Sequence, residues 1–206
     1  MKLYDFPFSP NSRKVRAVAY ELGIDLEHEH VDLLTGAQRA PEFLARNPNG
    51  RVPVLVDGDF VLWESTAILR YLAVGSRLVP AERRAAADVD RWTAWQLQHL
   101  APAMSKVAYE KIVKRLTRRG EPDLARVAEG TAEFATLSAI LDGALAHREY
   151  VAGPLSVADF ALAAHYSLAA AAGLEVAPHR HVAGWLARMV ARDSMSRALA
   201  DAQAMQ

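Results

Sequence analysis

Read for the order of apolar and polar positions, the chain falls into two regions of different habit. Residues 2–6 alternate in the strand manner, and residues 11–22 then place Val15, Val18, Ala19 and Leu22 on one helical face until Gly23 stops the run. Residues 28–33 alternate again, and Pro41 opens a short helix through residue 46. Residues 52–56 read as a buried strand, with Asp57-Gly58 as a tight hairpin signal before a strand at 60–63. Residues 64–73 close the region as a helix carrying Ile68, Leu69 and Leu72.

The order β-α-β-α-β-β-α, with only the last strand pair joined by a tight turn, predicts a mixed four-stranded sheet with helices on both faces. That is the thioredoxin-like α/β arrangement. Beyond a Gly- and Pro-bearing stretch near residues 74–80 the chain becomes alanine-rich and reads as helix after helix. In the run 81–119, Val89, Trp92, Gln96, His99, Ala103 and Val107 share a face, with a kink expected at Pro102. Further helices are expected at 123–147, 157–172, 180–192 and 194–202. The expected organisation is an α/β domain over 1–75, a linker over 76–84 and an all-α bundle over 85–206.

Composition narrows the chemistry. The 206 residues carry 24 basic and 24 acidic side chains, so the formal charge is zero and no surplus of cations exists to hold nucleic acid. There is no cysteine, which removes disulfides, thiolate metal sites and a cysteine nucleophile. Any thiol chemistry therefore uses sulfur that arrives with a ligand. Residues 1–5 lack the apolar core of a signal peptide, and no run approaches a membrane span. A cytoplasmic protein is expected, and the Ala- and Arg-rich composition fits a GC-rich bacterial source.

Three clusters of polar residues stand at the mouths of elements. Ser9-Pro10-Asn11-Ser12 joins the first strand to the first helix, and Ser9 before Pro10 is the pattern of an N-cap. A hydroxyl there has both a donor and acceptors, so it can cap the helix and also donate to an anion at the positive end of the helix dipole. Arg51-Val52-Pro53 opens a strand with a residue that cannot donate to a ladder, which makes Pro53 a boundary or the site of a cis bond. A cis bond turns the Val52 N–H and C=O out of the ladder, where they can pair with a bound peptide. Glu64-Ser65-Thr66 starts a helix, either as a cap or as a carboxylate site at the helix N-terminus.

Taken in order, residues 36–44, Asn47-Pro48 through Val52-Pro53-Val54-Leu55, Asp57-Gly58, Glu64-Ser65-Thr66-Ala67-Ile68 and residues 153–160 resemble the cytosolic glutathione transferase family over almost the whole chain. Ser156 and Asp159 stand as an N-cap and N3 pair and carry no catalytic role. The resemblance implies that Ser9, as in the phi-, theta- and nu-like classes, hydrogen-bonds the glutathione sulfur, assisted by Asn11 or Ser12. It places Gln38, Arg39 and Arg51 near the glycine carboxylate, although Gln38 stands where a histidine is frequent. Val52 before Pro53 binds the cysteinyl backbone, and Glu64 and Ser65 hold the γ-glutamyl end. The electrophile pocket is expected among Phe8, Trp95, Gln96, His99, Ala103 and Lys106. A homodimer with glutathione as co-substrate and no metal is implied, and Tyr4 lies too early to act as a catalytic tyrosine.

Lowering a thiol pKa by two units requires about 2.7 kcal/mol of preferential anion binding. A hydroxyl bond to a charged acceptor contributes roughly 1.5–3 kcal/mol and a helix N-terminus about 0.3–1, so no general base is needed. Conjugation to a small apolar electrophile is the leading reaction. Glutathione-dependent peroxide or disulfide reduction is a second, and a non-catalytic interaction module a third. His28-Glu29-His30 lacks a third metal ligand, and His179-Arg180-His181 reads as a solvated helix start.

Overall fold

The computed structural model describes residues 1–203, so residues 204–206 of the expected helical domain lie outside the described residues. The chain packs as two units, Met1–Val79 together with the stretch from Ala191 onward, and Pro80–Val190. The first unit contains β1 (Lys2–Asp5), α1 (Pro10–Leu22), β2 (Glu27–His30), α2 (Pro41–Leu44), β3 (Val54–Asp57), β4 (Phe60–Trp63) and α3 (Ser65–Ala73). Its sheet order is β2-β1-β3-β4. β1 runs parallel to β2 and antiparallel to β3, and β3 pairs antiparallel with β4. The parallel pair needs a crossover, which α1 supplies. The β3–β4 hairpin turns at Gly58, whose φ of 59° suits a residue without Cβ.

Local chemistry sets the element ends. Gly23, at φ 65°, closes α1 in the left-handed conformation, and the next amide, of Ile24, bonds the Ala19 carbonyl at 2.9 Å. β3 begins at Val54 rather than at residue 52, because Pro53 has no N–H for the ladder; the Val52–Pro53 bond is cis. β2 is shorter than expected and all four of its residues are exposed, which makes a polar sheet edge with Lys2 and Glu27 paired at 2.8 Å.

Helix α1 buries more than its apolar stripe: Ser12, Arg13, Lys14 and Arg16 are also buried. Arg16 forks onto both oxygens of Asp5, which is fully buried in β1, and reaches Asp201 at 2.9 Å. Burial alone would raise the Asp5 carboxyl, but bonds from His28 and Arg16 outweigh it and hold it below the usual carboxylate range. Asp201 lies on α11 (Asp193–Gln203), as does Arg197, whose guanidinium stacks 4.0 Å from the centre of the Tyr20 ring. Tyr20 donates to Asp201 at 2.7 Å, and Glu21 accepts from Arg192 just before α11 and from Ser194. The final helix joins the first unit rather than the helical bundle, because its partners are the polar side chains of α1.

The second unit holds α4 (Arg83–Trp95), α5 (Ala101–Ala108), α6 (Lys114–Thr117), α7 (Leu124–Leu145), α8 (Val157–Tyr166), α9 (Ala169–Ala172) and α10 (Arg180–Val190). The expected run over 81–119 is broken by π-helical turns at Gln96–Leu100 and Tyr109–Val113. Pro102 cannot donate to the carbonyl four residues back, and the widened turn ends two residues before it. All ten residues of α8 are buried, and Trp185, Tyr166, Phe134 and Phe160 fill the core around it. The Ser156–Asp159 capping box is formed, and Asp159 also accepts from the Val151 amide and the Trp185 indole, each at 3.0 Å. His181 is not a solvated helix start: its amide and Nδ1 bond Asp142 of α7 at 2.7 and 3.0 Å, anchoring α10. Among the described residues no helix is long and apolar enough to cross a membrane.

Arg16→Met strands the buried Asp5 carboxylate. At pH 7 this variant is expected to lose about 3–5 kcal/mol in urea unfolding. The gap to the wild type should be full above the ordinary aspartate pKa and close as the pH falls through the depressed folded value of Asp5, where the wild type also loses the pair.

Candidate active site

The candidate residues of the first unit gather at the ends of three elements. Ser9 precedes α1 with φ −70° and ψ 125°, the extended geometry of an N-cap, and its carbonyl accepts the first helical bond from Arg13 at 2.9 Å. Its hydroxyl makes no capping bond to the helix, so the side chain is not spent on the role that the local sequence suggests. Asn11 accepts from the Ser65 hydroxyl at 3.3 Å, which ties the first turn of α1 to the first turn of α3. Ser12 departs from its expected role. It is fully buried, and its Oγ takes the amide of Phe6 at 3.2 Å, holding the loop that leads to Ser9 rather than facing a ligand.

The start of α3 carries a feature that pattern reading does not reveal. Glu64, an exposed non-glycine residue, sits at φ 71° and ψ 106°, and its side chain makes no capping bond. Such a conformation stores about 1–3 kcal/mol of strain and concentrates where a ligand is held. Ser65 is buried except for its edge, at 6% exposure. Below this turn lies Lys14, fully buried, with its ammonium 3.5 Å from the Thr66 hydroxyl. Burial pushes the Lys14 ammonium down to about 7, against the pull of the Glu64 carboxylate. Neighbouring Arg13 is likewise lowered by burial, to about 10.

A third group is assembled by Gly50. This buried glycine has φ 59°, and a Cβ built on it meets the Gln38 carbonyl at 3.0 Å and Arg39 Nη1 at 3.3 Å. It therefore lets the Gln38–Arg39 turn close against the segment that carries Arg51. Asn47, 3% exposed, fixes that segment by donating to the Arg51 carbonyl at 2.7 Å and accepting the Asn49 amide at 3.0 Å. Gln38 Oε1 is buried with no partner, an acceptor without a donor at the place expected to meet a ligand. Gly50 and Asn47 were not among the expected site residues, although an Asn-Pro-Asn-Gly string is a recognisable turn signal.

The electrophile set does not hold together as expected. Gln96 is fully buried and bonds the His165 ring at 3.3 Å, and Ala103 is 1% exposed with its carbonyl against Gly130 of α7. Both are core residues of the helical unit. The buried face steps from Gln96 to Leu100 and on to Ala103, which leaves His99 exposed. Lys106 pairs with Glu129 and Glu133 of α7, each at 2.7 Å, and with His99 lines a cavity of about 500 Å³ between α5 and α7. Trp95 is half-buried, packing edge-on to Trp92 with ring centres 5.3 Å apart. Phe8 packs beside Phe6 against the core of the first unit, centres 5.3 Å apart.

Comparison with known proteins accords with this architecture. Residues 1–74 match the family described as glutathione S-transferase, N-terminal domain. Glutathione S-transferase 3 of Zea mays is 37% identical over 97% of this chain and 93% of its own length. Glutathione transferase F7 from Populus trichocarpa superposes with a TM-score of 0.90 at 29% identity, over 98% of each chain. The theta class glutathione S-transferase from Xanthomonas axonopodis pv. citri, solved with glutathione bound, does so with 0.89 at 31% identity, over 96% of each chain. A thioredoxin-like domain followed by a helical unit is thus the shared class. The chain belongs to the glutathione S-transferase family and is a glutathione transferase.

Gly50→Ala forces a Cβ onto the Gln38 carbonyl in a left-handed conformation. It is expected to destabilise the protein by about 1–3 kcal/mol and to raise KM for glutathione more than it lowers kcat, measured by urea unfolding and steady-state kinetics.

Proposed function

We propose that this chain acts in the cytoplasm as a homodimer that binds glutathione, holds its thiolate with the Ser9 hydroxyl and conjugates it to small apolar electrophiles. One observation carries the assignment of Ser9. Of the three polar side chains at the head of α1, Ser12 is sealed beneath Phe6 and Asn11 is engaged with Ser65, whereas the Ser9 hydroxyl is not used by its helix. The cluster of Gln38, Arg39 and Arg51 receives the glycine carboxylate, for which the two guanidinium groups are the donors. Val52 meets the cysteinyl backbone, and Glu64 with Ser65 takes the γ-glutamyl end, where the strained turn supports a ligand-holding role. Phe8 and Trp95 remain the electrophile-facing candidates from the expected set.

The homodimer is supported by apolar surface on β4 and α3. Phe60 and Tyr71 pack with ring centres 5.5 Å apart while 46% and 39% exposed. An exposed aromatic pair of this kind supports a contact surface there. Phe60→Glu is expected to shift sedimentation from dimer to monomer, and an unchanged dimer would place the interface elsewhere.

Ser9→Ala is expected to raise the pKa of bound glutathione by at least about one unit while its affinity stays within a few-fold. Titration of thiolate ultraviolet absorbance reads this directly, and an unchanged curve transfers the role to Asn11. With an aryl halide and a small disulfide assayed side by side, turnover is expected on the aryl halide.

A further inference from the structure

Lys14 plays no part in the thiolate chemistry, yet its placement is unusual for a lysine. It is fully buried, an environment that lysine enters only with a compensating reason. The ammonium lies under the first turn of α3, 3.5 Å from Thr66, next to Ser65, whose hydroxyl bonds Asn11. The start of α3 already presents the positive end of a helix dipole. A buried cation beneath it adds a second positive charge, and in surroundings of low dielectric that charge acts strongly on whatever anion the turn receives.

We propose that Lys14 is a positioning residue for the γ-glutamyl carboxylate, its buried charge setting how tightly the first turn of α3 holds that anion. The inference rests on the glutathione reading above and extends it to a residue that acts from beneath the site. Charge already around Lys14 is unevenly placed. The turn before α3 contributes the Glu64 carboxylate, and Arg70 follows one turn along α3. On α1 itself Arg13 is adjacent. Among the described residues, Asp201 and Arg197 of α11 and Asp5 of β1 engage other side chains of α1: Asp201 bonds Arg16 and Tyr20, Arg197 stacks on Tyr20, and Asp5 bonds Arg16.

Because burial leaves the ammonium near about 7, a carboxylate arriving overhead draws a proton onto Lys14. Binding is therefore tightest where Lys14 is charged, and it weakens as the pH rises through the elevated value of the bound state. The test uses S-methylglutathione, which has no thiol to ionise, titrated calorimetrically between pH 6 and 9 in buffers of different ionisation enthalpy. Wild type is expected to take up roughly half a proton per site near pH 7.5, with affinity falling about tenfold across the range, as a one-unit shift of a single group requires. Lys14→Arg keeps the charge and is expected to bind with wild-type affinity, without that uptake and with a flatter pH profile. Lys14→Met is expected to bind about tenfold more weakly at pH 6 and to show no uptake from this group. Should that variant not fold, wild type against Lys14→Arg decides alone. Equal proton uptake in wild type and Lys14→Arg overturns the role of Lys14, whereas failure of the wild type to bind S-methylglutathione at any pH overturns the glutathione reading itself.

Discussion

The first turns of two helices in the first unit are joined by a side-chain hydrogen bond, and the proposed glutathione site depends on that meeting. The Ser65 hydroxyl on the Asn11 carbonyl oxygen joins the starts of α3 and α1. Each start projects unpaired amides and the positive end of a dipole. Packing holds the two starts together: Val15, Val18, Ile68 and Leu69 are all fully buried. In the glutathione reading proposed above, those apolar contacts offset the mutual repulsion of two positive helix ends until an anionic ligand arrives.

A chain without cysteine has no nucleophilic sulfur of its own, and in the proposed mechanism it works by stabilising a charge on its guest. That explains why the polar side chains of the first unit cluster at turns, where backbone amides face outward. Gly50 and Asn47 shape one such turn, and Ser12 anchors another. None of them needs to touch a ligand. Each fixes a loop whose errors would otherwise be passed to the groups that do.

Much of this was legible in the residues. The order of strands and helices, the hairpin at Asp57-Gly58, the start of α1 after Ser9 and the box at Ser156–Asp159 follow from local chemistry that needs only neighbours a few positions apart. What stayed hidden depends on distant partners. Periodicity assigned α11 to the helical bundle, because no pattern along the sequence announces that Asp201 meets Arg16. At Gln96 the next step of the buried face is four, to Leu100, where a step of three would have taken His99; both residues fit a helical period, and only the packing of the second unit chooses between them. Ser12 looked equivalent to Ser9 in sequence, and only the fold separates a hydroxyl sealed beneath Phe6 from one left at the surface.

The return of α11 to α1 also affects how the protein is made. A ribosome delivers Arg16, Tyr20 and Glu21 long before Asp201, Arg192 and Ser194 exist. During synthesis Arg16 and Glu21 therefore have only their early partners, Asp5 and Arg77, and the later bonds to Arg192 and α11 form after the whole of Pro80–Val190 has been made.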